Sequence, residues 1–128
     1  MRKVCLNTRD ELLIIDLDRV AFFQANGNYT RLTYISGHAL MLNTGLSGVE
    51  KILAAVLPKG VPAMFVRMGR SLIINQIYLS NINVLKQYLT LSDLESHHFK
   101  LTVPKNLLRI YKGKVAAKYT AAQQTHAE

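Results

Sequence analysis

Residues 65–75 carry the side chains in this sequence that are best suited to chemistry. They run Phe65-Val66-Arg67-Met68-Gly69-Arg70-Ser71-Leu72-Ile73-Ile74-Asn75. Because side chains alternate along a strand, the segment predicts two short buried strands with a basic corner between them. At that corner, the guanidinium groups of Arg67 and Arg70 and the hydroxyl of Ser71 suit phosphate binding. The alternative is a solvated turn whose arginines pair with nearby carboxylates.

The chain also carries an unusual excess of positive charge. Its 128 residues include 16 Lys and Arg against 8 Asp and Glu, a formal net charge of +8 with a pI near 9.8. These basic residues are dispersed, so only folding can gather them on one face. The excess favours a polyanionic partner, with nucleic acid the first candidate and an acidic membrane surface the second. The sequence lacks the basic amphipathic helix rich in Trp or Phe that membrane binding would favour.

The other reactive residue types form no catalytic or metal-binding pattern. Asp16 and Asp18 have no second acidic cluster and no glycine-rich phosphate loop to work with, so we interpret Asp18 and Arg19 as a turn. A single cysteine, Cys5, excludes an internal disulfide and fits a reducing compartment. The histidines without metal-ligand spacing, interpreted as surface residues, are His38, His97, His98 and His126. We therefore expect no enzymatic activity, no metal and no cofactor.

Targeting signals are equally lacking. Residues 1–8 contain charge but no apolar run, which argues against a signal peptide, and the longest apolar stretches are too short to span a bilayer. We expect a cytoplasmic protein without a membrane partner. Its predicted organisation is an N-terminal lead-in at residues 1–10, a single domain at 11–118 and a frayed tail at 119–128.

Most of the chain predicts short antiparallel strands. Branched and aromatic residues alternate with turn formers such as Asn26-Gly27-Asn28, and turns this short exclude parallel neighbours. The predicted strands cover residues 12–17, 20–25, 29–35, 39–42, 65–67, 72–74, 77–82, 84–92 and 99–103. Asn75, at the end of an apolar strand, predicts a turn former or a buried hydrogen-bonding anchor.

Two helices interrupt this pattern. Ser47 and Glu50 predict a capping box at the start of the first, and Pro58 predicts its end. Pro104 suits the first position of a closing helix whose apolar residues recur at helical spacing. The sequence therefore predicts one mainly β domain with one inserted helix and one C-terminal helix.

Three segments in this order resemble the LytTR-type DNA-binding domain of bacterial response regulators. The first runs from Asp18 to Thr30 and includes Gly27-Asn28-Tyr29-Thr30, the second is the segment 65–75, and the third is Leu101-Thr102-Val103-Pro104-Lys105. The resemblance covers about Leu12 to Tyr111. It implies an elongated arrangement of small antiparallel sheets that contacts double-stranded DNA through loops instead of a recognition helix.

The resemblance also implies which residues contact DNA. They are Asn28, Tyr29, Thr30 and Arg31 in the first loop, Arg70 and Ser71 in the second, and Lys105 and Asn106 in the third, to which the basic corner adds Arg67. Two departures stand out. Gly69 occupies the place of a usual histidine, and Pro104-Lys105 replaces a common Ser-Arg pair, so the bidentate fork that Arg offers guanine is missing there.

The net positive charge and the resemblance to the LytTR-type domain together lead to an expected function. We expect sequence-specific double-stranded DNA binding by a bacterial transcriptional regulator. The alternative is a protein-interaction module on the same fold that binds an acidic partner. No receiver domain precedes the domain in this sequence, so we expect a stand-alone module. It would be a monomer at micromolar concentration that pairs cooperatively on DNA or through a separate regulatory protein.

Overall fold

The computed structural model describes residues 2–58 and 63–122, which fold mainly into β-strands. The strands are β1 (Lys3–Asn7), β2 (Leu12–Asp16), β3 (Val20–Asn26), β4 (Tyr29–Tyr34), β5 (Ala39–Leu42), β6 (Phe65–Met68), β7 (Leu72–Asn75), β8 (Leu79–Asn83), β9 (Tyr88–Ser92) and β10 (His98–Thr102). The α-helices are α1 (Leu46–Val56) and α2 (Lys105–Ala122). Short 3-10 helices precede β3 and β8, at Leu17–Arg19 and Gln76–Tyr78.

The strands form three antiparallel sheets. A central five-stranded sheet has the order β5-β4-β3-β7-β6, a hairpin joins β1 to β2, and a three-stranded sheet has the order β10-β9-β8. This arrangement confirms the predicted mainly β fold of small antiparallel sheets with one inserted helix and one C-terminal helix.

The middle of the central sheet is buried on both faces. Val20 and Phe23 of β3 belong to a core shared with α1 and the β1-β2 hairpin, whereas Ala21 and Phe22 belong to a second core shared with α2 and the three-stranded sheet. A shift in strand register between Val20 and Phe22 turns these neighbours to their separate faces. Burial on both faces explains why β3 begins with a continuous apolar run instead of an alternating one.

Hydrogen bonds from buried and half-buried side chains connect the sheet to the segments around it. The Asn75 side chain is fully buried, donates from Nδ2 to the Val20 carbonyl at 2.8 Å and accepts from the Ile77 N–H at 3.0 Å. The prediction of a buried anchor at Asn75 is therefore confirmed. Nearby, the Tyr78 hydroxyl donates to the Asp18 carbonyl at 2.6 Å, which links the two 3-10 helices.

The start of α1 differs from the prediction. The helix begins at Leu46 with Gly45 as the N-cap residue, and no side chain caps it. The capping box predicted for Ser47 and Glu50 is therefore wrong. Leu46 is buried in the core, so the N-cap and the helix start lie two residues earlier than predicted, and the Glu50 carboxylate instead pairs with Arg67 at 3.1 Å.

Three other segments also depart from the predictions. Lys3–Asn7, within the expected lead-in, forms β1 and pairs with β2. Residues 84–87 form a turn where we predicted the start of a strand, because Gln87 has a φ of 58° and the Asn83 side chain accepts from the Lys86 N–H at 2.9 Å. Helix α2 continues to Ala122, into the expected frayed tail, and residues 123–128, which include His126, lie outside the described residues.

Candidate nucleic-acid interface

The basic corner predicted from the sequence is the turn Gly69–Ser71 between β6 and β7. Gly69 has a φ of +70°, a left-handed conformation that residues with a Cβ rarely adopt. A Cβ at this position would also lie 3.1 Å from Cδ1 of Leu107 in α2. Glycine at this position therefore matches both the shape of the turn and its close packing against the helix.

Arg67 lies in β6 and supports this turn from within. Its Nε donates to the Gly69 carbonyl at 2.7 Å and its Nη2 to the Arg70 carbonyl at 3.1 Å. Its Nη1 pairs with Oε1 of Glu50 at 3.1 Å. For Arg67 the solvated-turn alternative, in which the arginine pairs with a carboxylate, therefore describes the structure better than an outward-facing phosphate clamp.

Arg70 and Ser71 have the opposite arrangement. Both side chains are exposed, and neither has a hydrogen-bond or ion-pair partner within the described part of the chain. Their backbone carbonyls are used, by Arg67 and by the Ala25 N–H at 2.8 Å respectively. The turn is thus held through its main chain while its guanidinium and hydroxyl groups remain available to a ligand.

The turn between β3 and β4 supplies the first predicted loop. Asn26 faces Tyr29 across a two-residue turn in which Gly27 has a φ of +62°. Asn28 and Tyr29 are exposed, with 49% of Tyr29 accessible. Arg31 is exposed and lies on the same face of β4 as Tyr29, because the two are separated by one residue along a strand.

Thr30 is a correction to the predicted contact set. Its side chain is completely buried, and its hydroxyl donates to the Thr44 carbonyl at 2.9 Å. The alternation of the strand turns Thr30 towards the core and leaves its neighbours outside. Thr30 therefore secures the segment that precedes α1 and has no surface to offer a ligand.

The third predicted loop lies at the start of α2. Lys105 and Asn106 are the first helical residues, follow Pro104 directly, and are both exposed. The N–H groups of a first helical turn lack intrahelical partners and carry partial positive charge. Lys105 and Asn106 therefore stand where a phosphate would be favoured.

Sequence reasoning missed a further basic residue, Lys86. It lies exposed in the turn Val84–Gln87, and the Gln87 carbonyl accepts from the Val103 N–H at 3.2 Å, directly before Pro104. Asn83 was the available signal, since an Asn side chain often bonds to the backbone of a turn that it begins. The apolar alternation around Val84 concealed it.

Contacts between these segments bring them to one end of the molecule. The Ala25 N–H bond to Ser71 joins the β3-β4 and β6-β7 turns, and the approach of Gly69 to Leu107 joins the β6-β7 turn to α2. We call this surface the turn end; it comprises the turns Gly27–Asn28, Gly69–Ser71 and Val84–Gln87, the neighbouring Tyr29 and Arg31, and the start of α2 at Lys105–Leu107. Its exposed cations are Arg31, Arg70, Lys86 and Lys105.

Side chains with shifted pKa values lie elsewhere in the described residues. Burial raises the pKa of Tyr111 to about 12, and its hydroxyl donates to Gln76 at 2.8 Å. The backbone N–H of Arg2 bonds to Asp18 and lowers the pKa of that carboxyl group. Hydrogen bonds from His97 lower the pKa of Asp93. These groups make contacts within the fold, and the exposed cations of the turn end are Lys and Arg residues.

Comparison with known proteins identifies the architecture. A scan against protein-family models found no match, and a search of curated proteins found none. Among solved structures, the chain is similar to the LytTr DNA-binding domain of a Bacillus cereus protein provisionally described as a methyl-accepting/DNA response regulator. The similarity has a TM-score of 0.60 at 19% identity and covers 88% of this chain and 95% of that chain. This chain has the LytTR-type fold.

Within the LytTR-type fold, the described residues hold no group of three or more His, Cys, Asp or Glu side chains that could bind a metal ion. None of the described helices is long and apolar enough to cross a membrane. At the turn end, the described residues therefore offer a ligand cationic and hydrogen-bonding groups, together with the exposed aromatic ring of Tyr29.

Proposed function

We propose that the protein binds double-stranded DNA through the turn end and acts as a sequence-specific transcriptional regulator in the bacterial cytoplasm. One observation carries the proposal: separate turns of a LytTR-type fold meet at one end, where four exposed cations face solvent. Phosphate contacts from Lys and Arg supply affinity and register, and side chains that reach base edges supply sequence preference. The proposed role requires no catalytic group and no cofactor.

The roles we assign follow from what holds each side chain. Arg70 projects from the apex of a fixed turn and can present its planar fork to a guanine edge. Ser71, Lys105 and Lys86 suit phosphate oxygens, which a hydroxyl or an ammonium group can bind without strict geometry. Arg67 acts indirectly, because its guanidinium group is bonded to the turn that carries Arg70.

The loop from β3 to β4 completes the proposed contact surface. Asn28 offers both an amide donor and an acceptor, which can read a base edge or bind a phosphate. Tyr29 and Arg31 lie side by side on the exposed face of β4 and would contact the sugar-phosphate backbone beside that site. Asn106, one residue into α2, can add a side-chain contact next to Lys105.

Selection from a pool of random duplexes tests the proposal. We expect the protein to enrich a discrete sequence and to bind it at least about tenfold more tightly than a scrambled duplex of the same composition, measured by fluorescence anisotropy. The absence of DNA binding at low salt would contradict the proposal.

A protein-interaction module with an acidic partner is the second candidate. It is favoured by Gly69, which offers no side chain for base contact, and by Lys105, which cannot form the bidentate fork of Arg. The same measurements separate the two candidates. The second predicts weak binding that does not distinguish the enriched duplex from the scrambled one.

A further inference from the structure

A groove lies at the opposite end of the molecule from the turn end. It has a volume of about 610 Å³ and is bounded by the C-terminal half of α2, strand β8 and the 3-10 helix Gln76–Tyr78. Its floor is apolar, with Leu79 and Val115 half-buried. Ile77 and Tyr119 border it with 58% and 60% of their surfaces exposed. We call it the α2–β8 groove.

The charge on this groove has one sign. Arg2, Lys112 and Lys118 line it, and no carboxylate does so within the described residues. Arg2 is already paired with Asp18 at 3.0 Å. Lys112 and Lys118 are exposed and have no carboxylate partner in the described ranges. An apolar groove with a cationic rim selects an apolar group flanked by acidic residues.

The chain itself presents such a group at the loop between β9 and β10. Leu94 is 84% exposed, has a φ of 64° and stands between Asp93 and Glu95. We call residues 93–97 the Leu94 tip. Only 8 Asp and Glu residues occur in the whole chain, so two of them beside an exposed leucine form an unusual feature of a protein with a net charge of +8.

Hydrogen bonds fix the Leu94 tip in place. Oδ1 of Asp93 accepts from the N–H groups of Glu95 at 2.9 Å and His97 at 3.0 Å, and its Oδ2 lies 2.8 Å from Nδ1 of His97. The Ser92 hydroxyl accepts from the Leu94 N–H at 2.8 Å. A loop held in this way loses little conformational freedom when it binds. The Glu95 side chain is exposed and has no hydrogen-bond or ion-pair partner in the described part of the chain.

We propose that the Leu94 tip of one copy docks into the α2–β8 groove of a second copy. Leu94 would bury itself against Val115 and Tyr119, and the Glu95 carboxylate would meet the ammonium groups of the rim. Leu91 pairs with Leu79, so the chain leaves β9 beside the strand that lines the groove. A knob and a groove that are neighbours on one subunit allow two copies to make the same contact reciprocally.

The proposal goes beyond DNA binding and does not depend on it. Asn75, which bonds to the Val20 carbonyl, directly precedes the groove residues Gln76 and Ile77. Strand β3 runs from Val20 to Asn26 at the turn end, so a contact at the groove leaves the turn end free. The interface is small, and we expect a dissociation constant on the order of 100 μM, which leaves the free protein monomeric at micromolar concentration.

Sedimentation equilibrium without DNA tests the apolar half of the contact. We expect self-association that grows with concentration, and we expect Leu94→Ser to weaken it at least about tenfold through loss of a buried leucine side chain. Leu85→Ser is the matched control, since Leu85 is 77% exposed at the opposite end of the same three-stranded sheet and should leave association unchanged. A chain that stays monomeric at millimolar concentration, or association that survives Leu94→Ser, overturns the proposal.

A charge exchange tests the ionic half. Glu95→Lys and Lys118→Glu should each weaken association, and the double variant should restore it because the two charges attract again with reversed signs. Both positions are exposed, so circular dichroism should show an unchanged fold. If each single variant weakens association and the double variant fails to recover it, the pairing of tip and groove is refuted.

Discussion

At the scale of single residues, Arg70 projects its exposed side chain from the β6-β7 turn, whereas Arg67 in the preceding strand bonds to the backbone of that turn. The first arrangement presents a guanidinium group to a partner. The second uses a guanidinium group as part of the scaffold. The same residue type, three positions apart, therefore predicts two different mutational phenotypes.

Replacing Arg70 with Ala should cost both affinity and sequence preference. We expect a loss of about 1–3 kcal/mol on the enriched duplex, the usual value of one bidentate guanine contact, with a smaller loss on the scrambled duplex. The fold should be unaffected, because the side chain has no internal partner within the described residues. Anisotropy titrations of both duplexes give the ratio of the two dissociation constants, which measures sequence preference. An unchanged ratio and affinity would remove Arg70 from the contact set.

Replacing Arg67 with Ala should act through the turn instead. The change removes side-chain donors from the Gly69 and Arg70 carbonyls and the partner of Glu50, and we expect the free energy of unfolding to fall by about 1–3 kcal/mol. DNA affinity should fall on every sequence alike, since the loosened turn no longer presents Arg70. Urea denaturation measures the free energy of unfolding, and fluorescence anisotropy measures the DNA affinity of the same variant. Full stability with lost sequence preference would make Arg67 a direct base contact.

At the scale of elements, local patterns predicted most strands but not their ends. The Asn26-Gly27-Asn28 turn and the strands around it follow from residue types that act locally. The start of α1 was missed because burial of Leu46 and the Arg67–Glu50 pair decide it, and both depend on segments distant in sequence. The turn at 84–87 was missed because Leu85, an exposed leucine, continued the apolar alternation. Tertiary contacts overrode the local signal at the start of α1, whereas at 84–87 the apolar alternation concealed the local signal of Asn83.

In the candidate site too, local patterns predicted some features, and contacts between distant segments determined the others. Exposure of Asn28, Arg70 and Lys105 follows from turns and helix ends that the sequence displays. The partner of the buried Thr30 hydroxyl is the carbonyl of Thr44, and the meeting of the turns depends on the contact of Gly69 with α2. Such contacts between remote segments are not encoded in spacing along the chain.

Asn75 joins β7 to β3, and its replacement by Ala should destabilise the central sheet. The change leaves the Val20 carbonyl and the Ile77 N–H without their side-chain partner, and the Asn75 site is fully buried. An unsatisfied buried polar group costs about 1–3 kcal/mol, and we expect a loss of unfolding free energy in or above that range. Chemical denaturation measures it, with the exposed Asn28→Ala as control. Equal stability of both variants would contradict the anchor role.

Acid should destabilise the fold partly through the hydrogen-bonded carboxyl groups of Asp93 in the Leu94 tip and Asp18 beside the N-terminal segment. The pKa values of Asp93 and Asp18 are lowered from the ordinary 3.8 by hydrogen bonds from His97 and from Arg2. A carboxyl group with a depressed folded-state pKa stabilises the fold above its ordinary value, and this stabilisation is lost as the pH falls. We expect the melting temperature to drop below about pH 4 and Asp93→Asn to flatten that drop. A drop of equal size in Asp93→Asn would exclude this carboxylate as a cause.

At the scale of the whole molecule, several exposed positive charges are concentrated at particular places on the surface. Arg70, Lys86 and Lys105 lie at the turn end, whereas Lys112 and Lys118 border the groove at the other end. The acidic residues Asp16 and Asp18 lie at the end of β2 and in the 3-10 helix Leu17–Arg19, and Asp93 and Glu95 lie in the loop between β9 and β10. Exposed cations therefore occur on two separate surfaces, for which we propose different partners.

Salt dependence distinguishes binding through the turn end from binding through total charge. Each phosphate neutralised lowers log K by about 0.9 per tenfold rise in salt, and we expect about five such contacts on a duplex with one site. Lys86→Ala and Lys105→Ala together should reduce the slope by roughly two contacts.

Lys112→Ala with Lys118→Ala removes the same charge from the far end and should leave the slope unchanged, because exposed charges beyond about 10 Å are screened at 0.1 M salt. Anisotropy titrations over a range of KCl concentrations compare the two pairs. If both pairs lower the slope equally, DNA binding follows the overall charge of the molecule and the turn end is not its site.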